Sequence, residues 1–215
     1  MSIIDNFNNI KQEIDAQNTK KEIIIIAVSK TFQMSHIEPL ISYGHKHFGE
    51  NKVQEAEKKW LQKKRKDPAI KLHMVGRLQS NKAKKAVEIF DYIHSLDSEK
   101  LALELDKRQK EKNKNINYFI QVNLGSEDQK GGIEVQNLKN FFNFCKVKTS
   151  LSILGLMAIP PNNNSMEKYF KKISELNNEL GLNNLSLGMS GDYIQAIKYG
   201  STFVRVGSSI FGNRS

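Results

Sequence analysis

The chain has 215 residues, 39% of them hydrophobic, which is enough to bury a core and suits one domain rather than two. Its formal net charge of +10, from 33 Lys and Arg against 23 Asp and Glu, favours anions such as phosphate esters, nucleic acid or acidic lipid heads. The single Cys145 excludes an internal disulfide, no apolar run approaches the ~20 residues of a membrane span, and residues 1–14 lack a signal-peptide core, so a cytoplasmic protein without membrane attachment is expected.

Ile3, Ile4, Phe7, Ile10 and Ile14 stand at helical spacing and predict a helix ahead of the sheet. Ile23-Ile24-Ile25-Ile26-Ala27-Val28 is mostly β-branched and reads as a buried strand of a parallel sheet, followed by Ser29-Lys30. Ser35 is expected to cap a helix over residues 35–43, with Gly44 just past its end. A second strand covers 47–51, and a helix over 52–66 is stopped by Asp67-Pro68. A third strand at 72–76 leads into a basic helix over 80–88. A fourth strand covers 92–96, and Ser98 caps a helix to 112. The fifth strand, 117–124, runs into a glycine-rich charged loop at 125–132, then a helix through Leu138, Phe141, Phe142 and Cys145. The sixth strand, 151–159, is stopped by Pro160-Pro161; the following helix, 165–180, ends at Gly181. A seventh strand at 185–188 is followed by a helix opened by Gly191-Asp192, and an eighth strand covers 203–206.

Alternating β and α elements imply a parallel sheet. Eight units predict a single (β/α)₈ TIM barrel over residues 1–215 with an extra N-terminal helix. A doubly wound open sheet is the alternative. No repeat, low-complexity tract or linker divides the chain.

Parallel α/β folds carry their reactive groups at the carboxyl ends of strands. Lys30 has that position, and an amine in a partly dry pocket loses preference for its charged form and can attack an aldehyde. On position alone a snorkelling surface lysine is the commoner outcome. Gly188-Met189-Ser190-Gly191-Asp192 marks a strand-to-helix turn whose small residues and free N–H groups suit a phosphate. An ordinary N-cap by Ser190 or Asp192 explains it equally well. Val206-Gly207-Ser208-Ser209 offers a second small-residue turn after the eighth strand, and barrels often join these two loops into a phosphate cradle. Arg205 faces the same mouth or makes a salt bridge on the rim. Asn51 and His73 follow or end strands and, taken alone, are more often structural. The five histidines show no metal-ligand spacing, so no metal is expected. A lysine nucleophile beside a phosphate cradle suits a phosphate-bearing aldehyde, of which pyridoxal 5′-phosphate (PLP) is the common cofactor.

Several segments resemble the pyridoxal phosphate homeostasis protein family. They are Ala27-Val28-Ser29-Lys30-Thr31, Phe48-Gly49-Glu50-Asn51-Lys52-Val53-Gln54-Glu55, His73-Met74-Val75-Gly76-Arg77-Leu78-Gln79-Ser80-Asn81-Lys82, Gly155-Leu156-Met157-Ala158-Ile159-Pro160, Leu187-Gly188-Met189-Ser190-Gly191-Asp192 and Arg205-Val206-Gly207-Ser208-Ser209-Ile210-Phe211-Gly212. The resemblance implies one barrel of the alanine racemase N-terminal domain type. It implies that Lys30 holds PLP as a Schiff base and that Ser190, Gly191, Gly207 and Ser208 surround the phosphate. It places Arg205 against the pyridine nitrogen, and Asn51, His73 and Met157 along the ring.

The function implied is intracellular PLP (vitamin B6) homeostasis without evident catalysis, with apo PLP-dependent enzymes as recipients. Two readings of the residues agree. A racemase of this class needs an acid or base on each face of the substrate carbon, and Asn213-Arg214-Ser215 directly after the eighth unit leaves no second domain to supply one. A guanidinium has only donors, so a pyridine nitrogen facing it stays unprotonated and is a poorer electron sink. A small PLP-dependent racemase or lyase is the alternative. Nucleic-acid binding is disfavoured, since charge alone is non-specific and no basic–aromatic interleaving is present. A monomer or weak dimer is expected.

Overall fold

The protein is described by a computed structural model covering residues 2–125, 131–161 and 166–212. Strands β1 (Ile24–Val28), β2 (His47–Glu50), β3 (Lys71–Met74), β4 (Tyr92–Leu96), β5 (Asn117–Asn123), β6 (Ile133–Glu134), β7 (Ser152–Ala158), β8 (Asn184–Met189) and β9 (Phe203–Val206) are all parallel. Their order is β4-β3-β2-β1-β9-β8-β7-β5, and β4 also pairs with β5. That last pairing closes an eight-stranded ring, a TIM barrel, as the eight units predict. Closure removes the free edges that the open-sheet alternative would leave. β6 pairs with β5 alone, through Val122 opposite Ile133, and stands outside the ring.

Helices α1 (Ile3–Asp15), α2 (Met34–Ser42), α3 (Val53–Lys66), α4 (Ala83–Ile89), α5 (Glu99–Glu111), α6 (Leu138–Lys148), α7 (Met166–Glu179), α8 (Tyr193–Lys198) and α9 (Ser208–Phe211) surround it. α1 precedes the first strand. Its start is a reciprocal cap: Ser2 Oγ accepts from Asp5 N–H, and the Asp5 carboxylate accepts from Ser2 N–H. It buries Phe7, Ile10 and Ile14, and Asn6 Nδ2 donates to Ile210 O at 3.1 Å, tying α1 to α9.

The alternation of β1 explains its continuous apolar run. Ile25 and Ala27 join the layer between barrel and helices, with Phe48, Trp60, Leu72 and Phe170. Ile26 and Val28 turn inward to Phe119, Met157 and Phe203. Both faces of a barrel strand are buried, so both must be apolar.

Three expectations are corrected. α2 starts at Met34 with Gln33 at its N-cap, so Ser35 lies inside the helix and caps nothing. The basic helix after β3 opens as a 3₁₀ turn, Ser80–Lys82, before α4. The turn after β9 is a short helix, α9. Ser98 does cap α5, accepting from Leu101 N–H at 3.3 Å. The predicted loop at 125–132 lies outside the described residues over 126–130, as does the start of the 165–180 helix at Ser165. No helix among the described residues is long and apolar enough to cross a membrane.

Candidate functional site

A pocket of about 590 Å³ opens where β1, β8 and β9 end. Lys30, Ser190, Gly191, Arg205, Gly207 and Ser208 all line it. Apolar walls come from Val28, Phe32, Val75, Ile159 and Met189. Six of the nine residues singled out in the sequence thus converge on one cavity.

The turn carrying Lys30 is held from both sides. Ser29 N–H donates to Gly49 O at 2.9 Å, and the Ser29 hydroxyl donates to Glu50 Oε1 at 2.7 Å. Thr31 is left-handed, with φ of 71°, which non-glycine residues rarely adopt. Its N–H donates to Glu55 Oε1, from the first turn of α3. Lys59, one turn further on, donates to Ser29 O (2.9 Å), Glu50 Oε1 (2.9 Å) and Glu55 Oε1 (3.0 Å). Burial pushes the Glu50 carboxyl above its ordinary pKa. Burial also works on Glu55, but the Thr31 N–H and Lys59 outweigh it and hold its carboxyl low. The Glu55–Lys59 spacing of four was a legible helical pair; its target was not.

The two small-residue loops meet through Ser190. Its Oγ accepts from Gly207 N–H at 3.2 Å, and Ser209 Oγ donates to Ser190 O at 3.5 Å. Asp192 Oδ1 accepts from Met189 N–H at 2.5 Å and shapes the loop. Gly188 has φ of +90°, and a Cβ there would stand 2.7 Å from the Ala196 Cβ, so glycine is what lets α8 start against the strand end.

Arg205 lies on the pocket wall and makes no rim salt bridge among the described residues. Nη1 donates to Ser186 O (2.8 Å) and Ser186 Oγ (2.7 Å), and Nη2 to Ala158 O (2.9 Å). Burial lowers its pKa to about 10, with Asp192 acting the other way, so it remains a cation at neutral pH.

The remaining three residues are not among those lining the pocket. Met157 is fully buried among the interior residues. His73 is fully buried, stacked on Tyr92 at 4.2 Å between ring centroids. Asn51 is half-buried just past β2, and its Oδ1 is buried with no hydrogen-bond partner among the described residues. The backbone after β3 crosses closely there: a Cβ on Gly76 would meet Asn51 O at 2.4 Å.

Barrel and pocket together define a protein of the alanine racemase N-terminal domain type, and that family matches residues 2–215. A pyridoxal phosphate homeostasis protein of Aquifex aeolicus is 40% identical over 199 residues, covering 88% of this chain and 86% of that protein. One from Vibrio cholerae is 35% identical over 228 residues, covering 99% and 97%. The structure of PipY from Synechococcus elongatus PCC7942 with PLP bound superposes with a TM-score of 0.88 at 32% identity, covering 98% of this chain and all of that one. The chain belongs to the pyridoxal phosphate homeostasis protein family.

Proposed function

We propose that this chain binds PLP in the pocket at the β1, β8 and β9 ends and serves intracellular vitamin B6 homeostasis as a carrier rather than a catalyst. One observation carries the reading: the lysine, the two-loop cradle and a buried cation that makes no ion pair among the described residues line a single cavity. That donor set fits the ligand. Bound PLP supplies an aldehyde that an amine can capture and an aromatic ring that can act as an electron sink. Lys30 offers the amine. The hydroxyls of Ser190 and Ser208, beside Gly191 and Gly207, offer donors for a phosphate. Arg205 offers only N–H groups, so it keeps a facing ring nitrogen unprotonated and weakens the electron sink. Val28, Phe32 and Ile159 give the pocket apolar walls beside the amine. Asn51, His73 and Met157 act from behind this lining, through the backbone and interior packing that shape it.

The relatives' shared name supports the homeostasis role; apo PLP-dependent enzymes as recipients and the cytoplasm as the compartment are part of the proposal itself. The experiment is an absorption spectrum of chain mixed with PLP, followed by borohydride and peptide mapping. The expected result is a fixed adduct on the peptide containing Lys30. An adduct elsewhere, or none, rejects the site. The family's link to alanine racemase favours a second reading, a small amino-acid racemase. Stereospecific amino-acid turnover at enzyme-like rates would replace the carrier reading with that one.

A further inference from the structure

A column of polar side chains crosses the barrel interior from its amino-terminal floor to the pocket. His47 Nδ1 lies 3.0 Å from His73 Nε2, His73 Nδ1 2.9 Å from His94 Nε2, and His94 Nδ1 2.9 Å from Ser186 Oγ. Arg205 Nη1 completes it by donating to Ser186 Oγ at 2.7 Å. His73, His94 and Ser186 are fully buried, whereas His47, the first residue of β2, is half-buried and borders a floor cleft. Barrel interiors are ordinarily filled by branched aliphatic side chains, and an unpaired polar group there costs ~1–3 kcal/mol. Here both nitrogens of His73 and of His94 have partners. The rings are held flat, His73 on Tyr92 (interplanar angle 9°) and His94 on Phe119 (11°).

Arg205 gives the column a direction. A guanidinium has donors only. Ser186 Oγ accepts from it and can turn its own hydrogen to His94 Nδ1. His94 then carries its proton on Nε2 and donates to His73 Nδ1. His73 in turn donates from Nε2 to His47 Nδ1. We propose that this one-way column transmits the protonation state of His47 at the barrel floor to Arg205 in the pocket, with His94 and Ser186 as positioning residues for the guanidinium.

The proton count shows how. Charging His47 on Nδ1 with nothing else changed sets N–H against the N–H of His73. The conflict is avoided when protons shift one place along the column: Ser186 Oγ passes its hydrogen to His94 Nδ1 and takes up the entering proton, now turned away from His94; His94 passes its Nε2 proton to His73 Nδ1; and His73 passes its Nε2 proton to His47 Nδ1. One proton has entered, and His47 carries the added charge; His73 and His94 keep one each. In the pocket, Arg205 now shares Ser186 Oγ with an incoming N–H. Burial chiefly lowers the proton affinity of His47. Lys71 of β3 acts the same way, while Glu22 ahead of β1 and Asp91 ahead of β4 favour its charge. His45, His73 and Tyr92 adjoin its ring, and Lys11 and Asp15 of α1 share its cleft.

The test uses the full chain without any cofactor, so its outcome is independent of whether PLP binds at Lys30. Nitrogen-15 NMR of labelled histidine and arginine reads the tautomers and the Arg205 side chain, whose peak is assigned by its loss in Arg205→Lys. At neutral pH His73 and His94 are expected to carry Nε2–H. On acidification the Arg205 resonance should shift with the midpoint of His47. Ser186→Ala should leave His47 titrating but stop the Arg205 shift, and His47→Gln should abolish the shift, with circular dichroism confirming the fold of each. Four outcomes overturn the proposal: an Nδ1–H tautomer on either buried histidine at neutral pH, an Arg205 resonance indifferent to His47, a shift that survives in either variant, or a His47 that does not titrate before the fold is lost.

Discussion

The backbone N–H of Thr31 donates to Glu55 Oε1 at 2.5 Å, so the residue after Lys30 is held by the first turn of α3. The bond supports a left-handed threonine, a conformation that costs ~1–2 kcal/mol. Glu55→Ala removes the acceptor and lets that turn relax. PLP affinity should fall roughly five- to tenfold, the net contribution of about one ordinary hydrogen bond. Spectroscopic titration beside a thermal melt checks it. Unchanged affinity with a lowered melting temperature would make the clamp structural only.

Lys30→Ala removes an amine that lines the pocket and belongs to neither apolar cluster. It should abolish the covalent adduct and leave the melt near that of the parent protein. Mass spectrometry after borohydride decides it, and an adduct persisting in the variant would assign the anchor to another lysine.

Ser190→Ala deletes the acceptor of the Gly207 N–H, the link between the two loops. If Ser190 also donates to phosphate, PLP binding should weaken by ~1–3 kcal/mol. Pyridoxal, which has no phosphate, should lose much less. Equal losses for both ligands would place the phosphate elsewhere.

Gly188→Ala forces a side chain into left-handed backbone and against Ala196. It should destabilise the fold by ~1–3 kcal/mol and displace the start of α8 along with the Ser190 loop. Urea unfolding measures the first effect and phosphate-dependent PLP affinity the second.

Acid should destabilise the chain before its carboxylates titrate. Burial lowers the pKa of His45 to about 4 and those of His73 and His94 well below the ordinary imidazole value. The unfolded chain therefore binds more protons below about pH 6.5, so the stability these neutral rings contribute is complete above that pH and is lost as pH falls. Three such groups give a slope approaching about 4 kcal/mol per pH unit below that value. Urea midpoints across the mildly acid range test the slope, which His94→Phe should reduce by about a third. A flat profile would mean that these rings are charged in the folded state.

The periodicity of residues 23–28, the break at Asp67-Pro68 and the Ser98 cap all speak through neighbours a few positions away. So do the small residues after β8 and β9, and eight alternating units already imply a ring. Those local signals also found Lys30, Ser190, Gly191, Arg205, Gly207 and Ser208, because strand ends and tight turns announce themselves by composition. Contacts set by strand register were beyond their reach. His94 meets Ser186 across 92 positions of chain, and Glu55 reaches Thr31 across 24. Whether His73 faces a pocket or the barrel axis turns on the alternation of β3, and which inward groups touch it turns on the tilt and stagger of closure between β4 and β5. Local composition determined the elements and the pocket's rim. Tertiary structure alone decided the polar path beneath it, because inward side chains find their partners only after all eight strands have taken their register.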